Sequence, residues 1–264
     1  MSTFLGSQHK AFASALVIAV IAGFGGQATA AGVISNVVEM NGDNEATDTI
    51  AAQWSGQMFS VSVDNEPVPG ATIGSSFTVG QFGDLAPTFV DRNHRYTNTD
   101  VAGEVFPIPS YLVGGDYIMS GNDNRDNATY QLDVTVSSPV RAYMLIDNRL
   151  GKVDAADNAT PPTFAPDKMQ WILDGGWMAV TTGANRAADI TKPDEVGIDE
   201  GADGTINQWY SIYAKDFPAG TFNLYQADNA GRNMYGVVVV PEPSSFVLLA
   251  GSALVLLSRR RRAA

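Results

Sequence analysis

The sequence predicts an all-β fold, an antiparallel, jelly-roll-like β-sandwich, with a targeting segment at either end. Three observations predict it. Apolar and polar residues alternate along the body, most cleanly in Tyr130-Gln131-Leu132-Asp133-Val134-Thr135-Val136, where Tyr130, Leu132, Val134 and Val136 share one face. Turn-forming residues punctuate these runs at Gly114-Gly115, Asp147-Asn148, Asp174-Gly175-Gly176, Asp203-Gly204 and Pro218-Ala219-Gly220. No sustained 3.6-residue apolar period occurs outside the terminal segments, which removes helical alternatives.

Taken in order, residues 60–63 and 76–79 alternate as short strands, followed by 130–136 and 140–146. Residues 209–213, 221–225 and 234–240 complete the set. Residues 151–168 and 183–205 are polar, contain Asp and Pro, and read as long loops.

Residues 1–30 read as a signal peptide for the Sec pathway. His9 and Lys10 precede an apolar stretch at 11–24, and Ala28-Thr29-Ala30 is a small-x-small site that signal peptidase would cut after Ala30. The sandwich domain is expected over 31–239, and a second targeting element over 240–264. There Pro241 and Pro243 hold Glu242 in an extended, accessible segment, because proline continues neither a sheet nor a helix interior. A membrane helix is expected at 244–258, followed by Arg259, Arg260, Arg261 and Arg262, which stay on the cytoplasmic side. From 244 to 257 the run has 14 residues, short of the roughly 17 to 25 that span comfortably, and suits a temporary anchor.

The chain carries 16 Lys and Arg against 28 Asp and Glu. Removing Lys10 and the four terminal arginines with their segments leaves 11 bases against 28 acids. Such a body repels nucleic acid and anionic lipid, so no nucleic-acid partner is expected, while neutral polysaccharide and divalent cations remain compatible. There is no cysteine, so neither a disulfide framework nor a thiolate site exists, and the core must carry the stability.

The order of the tail (Pro-Glu-Pro, a short apolar helix, a terminal arginine cluster) resembles the PEP-CTERM sorting signal. The resemblance implies recognition by an exosortase, a transient stay in the inner membrane, and final residence on the cell surface or in the extracellular matrix. In the body, short blocks at 91–96, 112–119, 122–125, 134–140, 142–149, 170–173, 213–220 and 234–238 are similar to a secreted, non-catalytic, galactose-binding-like β-sandwich module. That likeness implies an extracellular polysaccharide as partner, and a purely structural role in the matrix stands beside it. The loops at 151–168 and 187–207 are longer than the pattern.

Enzymatic residues are scarce. His94 is the only histidine left after signal cleavage, and Arg92 and Arg95 beside it lower its pKa and weaken it as a base. Paired carboxylates keep a cryptic carbohydrate-active hydrolase open as the alternative. Asn122-Asp123-Asn124-Arg125-Asp126-Asn127 offers oxygen ligands for Ca²⁺, and equally the residues of a turn. The stretch from Asp199 resembles an EF-hand loop through Asp199, Asp203 and Gly204, but has Gly201 and Tyr210 where ligands belong. The pairs Asp123/Arg125 and Asp147/Arg149 at strand ends read as bracing ion pairs or as a polar ligand rim. Trp54 is a further sugar-stacking candidate, and Trp171 and Trp209 lie in apolar strand patterns as core residues. Trp177 follows a turn and is the best placed of the four to stack on sugar, with core as the other reading.

The tail generates the first prediction. Pro241→Ala combined with Pro243→Ala leaves the protein in the membrane fraction with its tail intact, read by fractionation and intact mass. Normal processing of the double variant would refute the sorting role.

Overall fold

The computed structural model describes residues 32–42, 62–64, 78–89, 92–100, 102–201, 203–227 and 231–242. Ala28, Ala30, Trp54, Pro243, the expected membrane helix and Arg259 to Arg262 lie outside the described residues. The described residues hold twelve strands: β1 (Ile34–Met40), β2 (Ser62–Asp64), β3 (Thr78–Gln81), β4 (Arg95–Thr97), β5 (Asp116–Met119), β6 (Gln131–Val136), β7 (Val140–Asp147), β8 (Met178–Ala179), β9 (Glu195–Asp199), β10 (Gln208–Phe217), β11 (Gly220–Tyr225) and β12 (Gly236–Pro241). One helical turn, α1 (Trp171–Asp174), and a 3-10 turn at Asp123–Asp126 are the helical elements among them.

The strands form two sheets. The smaller has the order β11-β6-β1-β2, antiparallel except for β1 and β2, which run parallel. The larger has the order β3-β5-β12-β7-β10-β9-β4 with β8 paired to β10, and its described pairings are antiparallel.

Alternation marks the smaller sheet because one of its faces is wet. In β6, Leu132, Val134 and Val136 are buried while Gln131, Asp133 and Thr135 are half-buried. The wet face is stitched by cross-strand polar pairs, Thr135 to Thr221 at 2.8 Å and Asn223 to Asp133. The inward residues meet Val140, Ala142, Met144 and Ile146 of β7, and Val237 and Val239 of β12, in the inter-sheet core. Phe217 and Phe222 stack there at 4.1 Å.

The central strands of the larger sheet are buried on both faces. Tyr143, Leu145, Tyr210, Ile212 and Val238 point away from the smaller sheet into a second core, closed by Phe82, Ala86, Tyr96, Ile108 and Leu112. A strand with two buried faces shows no alternation, which is why β5 escapes sequence reading although all four of its residues are buried. Gly236 faces this core, and a Cβ there would lie 2.1 Å from the Tyr96 hydroxyl.

Two expectations are corrected. Residues 183–205 are not loop throughout: β9 forms within them, because Val196 and Ile198 fill the second core between β4 and β10. Trp171 lies on the helical turn α1 rather than on a strand, packed on the inter-sheet core with its indole N–H donating to the Gln226 carbonyl at 2.9 Å.

Leu132→Ala should cost about 2 to 5 kcal/mol of unfolding free energy, because it leaves a cavity between the sheets. Gln131→Ala on the opposite face should cost well under half as much. Urea titration of the two variants checks this, and equal losses would exclude a half-buried β6.

Candidate functional site

Two polar constellations stand out, both near the ends of β7 and β10 where Asp147 and Gln208 sit. The first contains the charged pairs singled out in the sequence. Asp147 is almost fully buried, and its carboxylate accepts from the Arg149 amide at 2.9 Å, from the Arg149 guanidinium at 2.6 to 3.1 Å and from the Asn233 amide at 3.1 Å. Arg149 also donates to Glu200 at 3.1 Å, and Glu200 accepts from Asn233 at 2.7 Å and from Gln208 at 3.3 Å. Asp123 pairs with Arg92 at 2.5 Å and with Arg125, which also donates to the Asn122 carbonyl at 2.9 Å. Asn122 joins the two pairs: its Nδ2 donates to Asn233 at 3.3 Å and its Oδ1 accepts from the Met234 amide at 2.8 Å. Asp123/Arg125 and Asp147/Arg149 thus belong to one network that braces β7 against the start of β12, and their charges point at each other. Low local dielectric makes such a network rigid when its groups are mutually satisfied.

The asparagine-rich stretch is a staple. Asn124 donates to the fully buried Glu39 of β1, Asn127 donates to the Asn41 carbonyl, and Asn41 donates to the Thr129 carbonyl at 2.9 Å. Amide side chains here take the place of backbone pairing at the end of β1. Asp123, flanked by two guanidinium groups, offers no cation cradle.

The Asp199 loop also departs from expectation. Asp199 is buried, and its two oxygens accept from the backbone amides of Gly201 at 3.0 Å, Asp203 at 3.2 Å and Gly204 at 2.8 Å. Asp203 accepts from the Thr205 amide at 2.9 Å. These carboxylates close turns on the backbone rather than converging on an ion. Among the described residues no group of three or more His, Asp or Glu is placed to hold a metal. Trp177 is corrected as a sugar platform: it is 5% exposed, packed edge-on against Phe217 in the inter-sheet core.

The second constellation is a groove of about 360 Å³ lined by Val105, Phe106, Arg186, Glu195 and Trp209, with residues 183–185 at its rim. A smaller hollow of about 200 Å³ adjoins it through Asn185, Arg186 and Glu195 and reaches Pro161 and Lys192. Trp209 is the floor, nearly buried, with Phe106 edge-on at 4.9 Å and the Arg186 guanidinium 4.6 Å over its ring. Arg186 grips Glu195 with both nitrogen arms, at 3.1 and 3.0 Å, and donates to the Asn158 carbonyl at 2.7 Å. Glu195 further accepts from Asn148 at 2.8 Å, and Asn158 accepts from the Trp209 amide at 3.0 Å. Beneath the rim, buried Asp194 accepts from Thr182, Gly183, Ala184 and the Tyr111 hydroxyl, which shapes the 182–184 turn. Burial first, and Asp194 second, push the Tyr111 phenol far up. The two long loops build this groove: 151–168 through Asn158 and Pro161, and 183–194 through Arg186. Sequence reading missed Arg186, Glu195 and Phe106, because Phe106 and Arg186 reach Trp209 from loops far from it in the chain. The one available signal was that both loops are long.

The class defined by this architecture is an all-β sandwich with a loop-built groove, whose last strand runs directly into a Pro-Glu-Pro segment. Residues 239–262 match the PEP-CTERM protein-sorting motif, so this is an exported protein that is anchored in the membrane before an exosortase processes it. No curated protein matches the chain. Among solved structures, a GH138 enzyme targeting pectin rhamnogalacturonan II overlays with a TM-score of 0.37 at 14% identity. The overlay covers 69% of this chain and 16% of that one, and a likeness at this level carries no argument about fold or activity.

His94 supplies the prediction. Burial pushes its imidazole below the ordinary value; Arg92 and Arg149 push the same way, against Glu200 and Asp199. The folded protein therefore prefers the neutral ring, and as pH falls through about 6.5 the unfolded chain takes up a proton that the native state resists. Stability should decline from pH 7 to pH 5, and His94→Gln should flatten that part of the profile in urea titrations. Identical slopes for the two proteins would exclude it.

Proposed function

We propose that the sandwich domain is a non-catalytic module that binds a neutral extracellular polysaccharide and holds it at the cell surface or in the surrounding matrix. The observation that carries this reading is the groove over Trp209. Its apolar wall (Val105, Phe106, Pro107) suits the C–H face of a sugar ring, and the Arg186 guanidinium beside it can donate to hydroxyl groups. A net acidic body favours an uncharged glycan over an anionic one. A sorting tail that marks the protein for export supports a role outside the cell, where such polymers occur.

The non-catalytic part of the reading draws on the carboxylates at the groove. Glu195 is engaged on both oxygens by Arg186 and on one by Asn148, and Asp194 is held by the 182–184 turn. A glycosidase needs two carboxyl groups facing a common space, one of them able to carry a proton. Here both serve to position loops.

The test is a polysaccharide panel probed with the exported protein, followed by calorimetry on whichever polymer is retained. Arg186→Ala and Phe106→Ala should each weaken binding by about ten- to a hundredfold, as expected for losing a charge-assisted hydrogen bond or an aromatic contact. Asp123→Asn, outside the groove, should bind as the parent does. Retention of no polymer, or undiminished binding by both groove variants, would overturn the reading.

A further inference from the structure

The sorting motif begins inside the fold. β12 is a central strand: Val237, Val238 and Val239 pair with Ile118, Tyr117 and Asp116 of β5 on one side. On the other, Gly236–Pro241 pairs in register with β7, from Gly236 opposite Leu145 to Pro241 opposite Val140. The three valines are buried, two in the inter-sheet core and one in the second core. Pairing continues into the motif itself, where the Glu242 amide donates to the Pro139 carbonyl at 3.1 Å. Pro241 has no N–H to offer, so the Glu242 amide makes the last bond to the β7 side among the described residues. Opposite Val240, Arg141 is clamped by Asp216 through bonds of 2.6 and 2.8 Å, and Asp216, with Glu242 contributing, pushes the guanidinium pKa up. No linker separates the core from Pro241 and Glu242.

We propose that the fold sets the position at which the tail is removed: the scissile bond lies on the C-terminal side of Glu242, and β12 remains whole in the mature protein. A processing enzyme grips its substrate as an extended, unpaired backbone. Residues 237–239 are paired on both sides and 240–242 on the β7 side, so any earlier cut requires β12 to leave the sheet. Opening a central strand approaches global unfolding, whereas a cut beyond Glu242 disturbs none of these contacts. In the reaction the carbonyl carbon–nitrogen bond breaks. Water, or an amine if the protein is transferred to another molecule, bonds to the carbonyl carbon and gives its proton to the nitrogen of the departing tail.

Two measurements on the full chain test this. The first is the C-terminus of the protein released by an exosortase-containing strain, read by intact mass and peptide sequencing; its last residue should be Glu242 or later. The second is digestion of the detergent-solubilised, unprocessed chain with proteinase K, an enzyme that does not read the motif. Digestion should stop at or beyond Glu242 under native conditions and run through β12 in urea. A released protein ending at Pro241 or earlier, or native digestion that enters 236–241, would overturn the proposal.

Discussion

The insertion of the last described strand between β5 and β7 is the contact on which the rest of the sandwich depends. Its valines alternate between two cores, Val237 and Val239 against the smaller sheet and Val238 against Tyr96, Tyr117 and Leu145, so one strand joins both hydrophobic layers. The partners are distant in sequence, and loop closure must occur before their contacts are rewarded, which makes such a topology slow to form. The sheet is also incomplete until residue 241 is available. Asp116 at the neighbouring position adds a further tie, accepting from the Ile34 amide at 3.1 Å and linking the start of β1 to β5. Burial raises the pKa of its carboxyl, against the two backbone amides of Ile34 and Val33.

Strand direction then separates the two working ends of the molecule. Along β10, Trp209 and Phe217 lie roughly 26 Å apart at about 3.3 Å per residue. The groove and the Arg149–Glu200 network gather at the Trp209 end, and the turn at Pro139 that meets Glu242 lies at the Phe217 end. A ligand in the groove and an enzyme at the tail would therefore not compete for the same surface.

The acidity of the body has a local use that charge counting does not reveal. Asp194, Asp199 and Asp147 are buried, and each closes a turn by accepting backbone amides. Hydrogen bonds to ionised acceptors are among the stronger ones, and they let long loops hold a shape without secondary structure. The same oxygen-rich composition imitates a calcium loop in one dimension, since a turn and a cation site draw on the same residue types.

What the sequence determined by itself was whatever depends on neighbours along the chain. The sorting tail, the turn punctuation and part of the one-sided sheet were legible, the last because a 2-residue period appears where one face is wet and the other dry. β6 and β11 are the clear cases. Strands buried on both faces lose that period, so β5 and β9 were invisible, and only the pairing of β4, β9 and β10 gave Val196 and Ile198 a core to fill. Tertiary structure likewise decided which side of a turn faces water: Trp177 follows two glycines yet is covered by Phe217, while Arg186 leaves a polar loop to lie over Trp209. The physical reason is the same in each case. Burial is set by what packs across from a residue, and that partner lies tens of residues away in the chain.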